Sequence, residues 1–220
     1  MNKSSYLLRL GLFLVFMFSN VLFAQEITSP FKFSLYGGAS LPTGDFSSTA
    51  IAEKSGYATT GFCAMIEGSK EFGETINWIS SVSLAINGFD ESTLESQLGG
   101  LSVSADNYIT TWIMTGAGLE TPLAPMVNFY ALAQIGLLVS SVPDITISYG
   151  GESITQTTNT GTAFAYGFGA GIKITKLNIG MRYYSGEPEY EQTASYNGVT
   201  GTNKIKLPAS IIELLVGLNF

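Results

Sequence analysis

Six ionisable side chains fall on the mixed faces of segments whose alternate positions are apolar: Lys32, Glu67, Glu120, Lys173, Arg182 and Glu213. Three are basic and three acidic, so the chemistry they offer is pairing. Gathered in one interior they should neutralise one another, because an unpaired buried charge is expensive. Glu213 is expected to reach Arg182 or Lys32, on the two strands beside its own. This is a structural polar network, and no catalytic residue is assigned. The chain has no His, which removes the usual base of hydrolytic triads and the commonest zinc ligand. Its one Cys, Cys63, cannot form an internal disulfide and reads as an ordinary small side chain. The run Gly167-Phe168-Gly169-Ala170-Gly171 has the glycines of a nucleotide loop but lies inside an alternating segment, where small residues suit a crowded interior. No cofactor, no metal and no enzymatic activity are expected.

A second group lies between those segments. Glu187-Pro188-Glu189-Tyr190-Glu191 offers three carboxylates, a candidate contact for a divalent cation or for a surface partner, although a solvated rim explains the same residues. The long connections are rich in Asp and Glu against only Lys54, Lys204 and Lys206. Ile145 to Tyr149, then Gly150-Gly151, then Glu152 to Thr155 is a hairpin pattern that would extend the fifth and sixth segments; Tyr196-Asn197-Gly198-Val199 is a second hairpin turn. The free edge of such a hairpin can recruit a partner strand.

These groups must be positioned by strands. Of 220 residues 45% are hydrophobic and only 12% charged, yet beyond the first 25 no stretch is apolar enough to span a bilayer as a helix. The N-terminus has Lys3 and Arg9, then an apolar run from Gly11 to Phe18, and ends on Ala24, so residues 1–24 are expected to be a secretory signal peptide and residues 25–220 the folded domain. Losing Lys3 and Arg9 leaves eight basic against seventeen acidic residues. An acidic mature chain argues against nucleic acid as a partner.

After Gln25 the dominant signal is alternation at period two. Eight segments carry it: Phe31 to Leu41, Tyr57 to Glu67, Ile76 to Gly88, Tyr108 to Thr121, Val127 to Ser140, Ala163 to Ile174, Leu177 to Ser185, and the C-terminal run to Phe220. In the last, Ile212, Leu214, Val216 and Leu218 form one apolar face. In the second, Ala58, Phe62, Ala64 and Ile66 do so; the fourth is the least decided about its faces. Connections two, four and six are short and the others long. Even strand number, alternation and this rhythm together predict an all-β fold: an eight-stranded antiparallel up-and-down transmembrane barrel with short periplasmic turns and long extracellular loops. A secreted soluble β-sandwich acting as a binding module is the alternative, and it would bury the same apolar faces.

The signal peptide, Tyr36-Gly37-Gly38 with Leu41-Pro42-Thr43-Gly44-Asp45-Phe46, and the closing Leu214-Leu215-Val216-Gly217-Leu218-Asn219-Phe220 resemble the small outer-membrane barrels of the OmpA and OmpX kind. That resemblance implies residence in the cell outer membrane among lipid and lipopolysaccharide, with the terminal Phe220 read by the barrel assembly machinery. The peptidoglycan-binding function of the larger OmpA-like proteins is not carried over, since no such domain is read after the barrel. The function expected is non-enzymatic and structural or adhesive, toward an unspecified surface partner. The alternative is a narrow porin-like channel for a small solute or hydrophobic compound.

Overall fold

The computed structural model describes residues 31–51, 54–72, 74–150, 152–196 and 199–220, with backbone alone at 194–196 and 199. The expected signal peptide lies outside the described residues.

Thirteen strands follow in chain order: β1 Lys32–Pro42, β2 Ala58–Phe72, β3 Ile76–Phe89, β4 Ser102–Ala105, β5 Tyr108–Ala124, β6 Val127–Ser141, β7 Ile145–Tyr149, β8 Glu152–Thr158, β9 Gly161–Ile174, β10 Leu177–Gly186, β11 Glu189–Tyr196, β12 Val199–Lys206 and β13 Ala209–Asn219. Among the described residues there are also a 3-10 turn, Gly44–Phe46, and an α-helix, α1, Glu91–Gln97. Eight strands form a wall in the order β1, β2, β3, β5, β6, β9, β10, β13, and β13 pairs back onto β1, from Ser34↔Asn219 to Pro42↔Ile211. The sheet is closed. These are the eight alternating segments, and the largest change of boundary is in β2, which runs on to Phe72.

Alternation gives the wall two chemistries. On β13, Leu214, Val216 and Leu218 point out and are about half exposed, while Ile211, Glu213 and Leu215 point in and are buried. The outward set continues around the wall through Leu35, Phe62, Ile66, Leu84, Ile135, Phe164, Phe168 and Met181. Water does not tolerate a continuous apolar belt of this extent, whereas hydrocarbon solvates it. In hydrocarbon every backbone N–H and C=O needs a partner, which closure supplies. The soluble sandwich is thereby overturned, because these apolar faces cover no second sheet.

One face assignment changes and one left undecided is settled. Ala58 is buried, not outward: the pairing of β2 with β3 shifts between Ala58 and Gly61, and the extra residue reverses the phase. On β5, Tyr108, Trp112 and Met114 point inward and Ile109 and Leu119 outward, so both faces are apolar and hydropathy alone cannot separate them.

At one end of the barrel the wall strands are joined through residues 73–75, 125–126 and 175–176. Met126 and Thr175 carry two of those turns at positive φ (67° and 55°). At the other end residues 43–57, 90–107, 142–160 and 187–208 connect the strands. The last three carry β4, β7, β8, β11 and β12, which continue the wall's sheet outward in the order β4, β7, β8, β11, β12 and join it where Glu189 of β11 pairs with Thr162 of β9; this extension is the outer sheet. The hairpin after Ile145 does form, as β7 and β8, and it prolongs β6 and β9 in unbroken register, from Ser140↔Gly161 in the wall to Ile145↔Gln156 above it. Its edges are taken by β4 and β11, which precede β5 and follow β10 in the chain.

Candidate functional site

Inside the barrel, small residues set where the large ones go. Arg182 lies between Gly169 on β9 and Glu213 on β13. A Cβ at Gly169 would sit 2.5 Å from the Arg182 Cδ, so this glycine is what lets the side chain lean toward β9. From there Arg182 Nη2 donates to Glu67 Oε2 at 2.6 Å, with both side chains buried, and the guanidinium lies 5.3 Å from the centre of the Tyr130 ring. Glu67 also accepts from the Tyr36 hydroxyl at 3.2 Å, which in turn accepts from Asn178 Nδ2 at 2.9 Å. Glu213, expected to reach Arg182 or Lys32, instead accepts from Ser83 Oγ at 2.6 Å across the lumen. The lean over Gly169 is the physical reason.

Nearer the short turns, Lys173 donates to Glu120 at 2.6 Å, and Asn128 and Asn77 donate to the same carboxylate at 2.8 and 3.3 Å. Lys32 pairs with Glu71, a residue outside the expected network. Lys32, Glu120, Asn128 and Lys173 line a cavity of about 210 Å³ at this end.

Toward the long loops the interior becomes apolar. Trp112 and Tyr184 stack with ring centroids 5.4 Å apart and planes at 19°, and Met65, Leu138, Ile211 and Leu215 join them at 2% exposure or less. Above this layer Phe46 meets Tyr108 edge-on at 4.9 Å, and the Tyr108 hydroxyl donates to the Gly56 carbonyl at 2.5 Å. Tyr190, Leu207 and Ala209 are buried against the same cluster. Each such large apolar side chain contributes about 1.5–3 kcal/mol on burial. A barrel of eight strands is narrow enough for side chains to fill it, and here they form a plug.

Above the plug the loop carboxylates are engaged. Lys54 donates to Glu187 at 2.6 Å, and Lys204 to Glu189 at 3.0 Å. These bonds hold both carboxyls below the ordinary glutamate range, and the bond to Glu189 holds the Lys204 ammonium above its own. Glu191 lies opposite Lys204 across the β11/β12 pair. The three acids are therefore not gathered around one point, and among the described residues no group of three His, Cys, Asp or Glu side chains is placed to hold a metal ion. The outer sheet is hydroxyl-rich: Ser104, Thr146, Thr155, Ser195 and Thr200 lie in register across all five strands. The next rung aligns Thr157, Thr193 and Thr202. On the opposite face Val103, Ile147 and Ile154 are in register.

Solved structures with this architecture exist. A major outer membrane protein from Thermus thermophilus superposes over 87% of this chain and 100% of its own, with TM-score 0.53 and 10% identity. The chain has the fold of a small outer-membrane β-barrel. Two other chains superpose more loosely: Neisserial surface protein A (TM-score 0.49, 12% identity, 88% of this chain and 98% of that one) and Ail, the attachment invasion locus protein of Yersinia pestis (TM-score 0.46, 17% identity, 88% and 100%). No protein-family model matches the sequence, and no curated protein does.

For this outer-membrane barrel fold the expected interior residues are brought together only in part. Arg182 with Glu67 and Lys173 with Glu120 are ion pairs; Lys32 and Glu213 turn elsewhere. The aromatic plug has no signal in hydropathy, since an inward Trp112 and an outward Ile113 look alike. What could have marked it is glycine opposite bulk: Gly167 lies beside Tyr184 and Gly217 beside Tyr36, each with a Cβ position 2.4 Å from the ring.

Proposed function

We propose that the mature chain stands in the outer membrane as a non-enzymatic barrel whose wall is an anchor and whose outer sheet is the working surface, in a structural or adhesive role toward a surface partner. The observation that carries this reading is the Trp112–Tyr184 layer with the buried aromatics above it, which occupies the path a solute would need. In this reading residues 1–24 are removed on export, the strand ending in Phe220 is recognised by the barrel assembly machinery, and lipid and lipopolysaccharide surround the belt. The tight turns face the periplasm and the outer sheet faces outward. The absence of His from the sequence supports a role without catalysis.

Planar-bilayer recording of the purified, refolded barrel tests it. The expected result is no conductance step of reproducible size from the wild type. Reproducible single-size steps would overturn the anchor reading in favour of a narrow channel entered from the cavity beside Lys32 and Lys173.

A further inference from the structure

The outer sheet has two edges, and they differ. Along β4, the side away from β7 meets α1, where Glu95 and Glu91, one helical turn apart, accept from the backbone N–H groups of Val103 at 2.8 Å and Ala105 at 2.6 Å. Two carboxylates there take the place of a neighbouring strand's carbonyls. At the far edge, β12 is hydrogen-bonded to β11 alone among the described residues.

The direction of the free groups on β12 follows from antiparallel alternation. The Glu191 carbonyl accepts from the Asn159 N–H at 3.1 Å, on the side of β8. Glu191 and its register partner Lys204 therefore exchange no bonds across β11 and β12, and Lys204 turns its N–H and C=O outward. Among the described residues its N–H is met only by the adjoining Asn203 side chain at 2.9 Å. By the same alternation Thr200, Thr202 and Lys206 also face outward. Their side chains share one face of the sheet with that of Lys204.

β11 shows what β12 accepts as a neighbour. It sets Glu191 opposite Lys204, Glu189 opposite Lys206, and Thr193 opposite Thr202. Lysines on an open edge discourage neutral or basic strands, so the same feature that blunts the edge against indiscriminate pairing selects for a complementary one. We propose that β12 is a docking edge for an extended segment of a partner protein, which adds as an antiparallel strand and sets acidic side chains opposite Lys204 and Lys206. Backbone bonds from four outward residues supply affinity and the two lysines supply register. The proposal rests on the reading of the outer sheet as the working surface and names its partner chemistry.

The test uses the full mature protein in lipid nanodiscs and two synthetic peptides, one alternating Glu with Thr and one alternating Lys with Thr. The wild type is expected to bind the Glu peptide and not the Lys peptide. Thr202→Pro removes one outward N–H without touching the bonds to β11, as proline is tolerated where the N–H faces solvent. It is expected to weaken binding about tenfold or more, as is the double variant Lys204→Glu/Lys206→Glu, which should take the Lys peptide instead. Each variant is first checked for unchanged heat-dependent gel migration, so that a lost barrel is not scored as lost binding. The proposal is overturned if the wild type ignores the Glu peptide or binds both peptides equally, or if Thr202→Pro binds undiminished. It is also overturned if a cysteine at position 202 cross-links two copies of the chain in the absence of peptide, which would make β12 a self-association edge. A silent barrel that ignores the peptide leaves the anchor reading standing and removes only this proposal. A conducting barrel that takes the peptide does the reverse.

Discussion

The wall and the outer sheet are both antiparallel β-structure, but they answer to different solvents. The wall turns Leu35, Phe62, Leu214 and Val216 outward and hides Arg182, Glu67 and Glu213. The outer sheet turns Ser104, Thr200 and Thr202 to water and shields Val103. In the wall every backbone group is paired by closure, whereas the outer sheet keeps edges and must cover or use them. Stability should therefore reside in the wall and lumen, and tolerance of change in the outer sheet.

Substitutions in the two regions should differ by several kcal/mol. Arg182→Ala leaves Glu67 buried without its cation and is expected to cost about 3–5 kcal/mol, read from the urea midpoint of folding into lipid vesicles. A midpoint within error of wild type would show that the lumen network carries no load. Trp112→Ala empties the centre of the plug and should cost about 3 kcal/mol in the same titration. It should also be the variant in which conductance first appears, if the plug is what blocks the path.

Gly180→Val tests whether interior glycines are spaces for their neighbours. The added Cβ would fall 2.1 Å from the Tyr130 hydroxyl, and the expected loss is about 1–3 kcal/mol. An unchanged melting profile would mean that Tyr130 has room to move.

How much of this was legible in the sequence follows the same division. The eight wall strands were legible because lipid on one side and packed side chains on the other impose a strict period of two. The destination of Glu213 was not, because two cations lie on its neighbouring strands and the choice turns on how Arg182 leans over Gly169. The plug was hidden because Trp112 and Met114 are as apolar as the lipid-facing residues beside them. In the loops, the turn residues of the two hairpins marked β7/β8 and β11/β12, although positions 197 and 198 lie outside the described residues. The β8/β11 pairing follows from the wall beneath it, since β8 leads into β9, β11 follows β10, and β9 and β10 are neighbours there.

Smaller effects are expected outside the membrane. Asp90 caps α1, accepting from the Thr93 N–H at 3.0 Å and its hydroxyl at 2.7 Å, and these bonds hold its carboxyl below the ordinary aspartate value. Because the folded value is the lower one, the contribution is complete above the ordinary aspartate range and fades as pH falls through the folded value. Asp90→Ala should remove about 1 kcal/mol of local helix stability and that pH dependence together, seen in amide exchange at residues 91–97. Equal exchange in both proteins at neutral pH would refute the cap. Lys204→Ala, at a fully exposed ion pair, should leave the folding midpoint unmoved, and a shift comparable with that of Arg182→Ala would erase the contrast between the two regions.

The division into a membrane-embedded wall and an outward-facing sheet is tested most directly by side-specific labelling in intact Gram-negative cells. Cys63 is replaced by Ala, and a single cysteine is placed either at Thr202 in the outer sheet or at Pro125 in a tight turn. With a bulky polyethylene-glycol maleimide, the cysteine at position 202 should react in intact cells, and the one at position 125 only after the cells are broken. Labelling at 125 from outside, or at 202 only after lysis, would contradict the orientation on which the whole account depends.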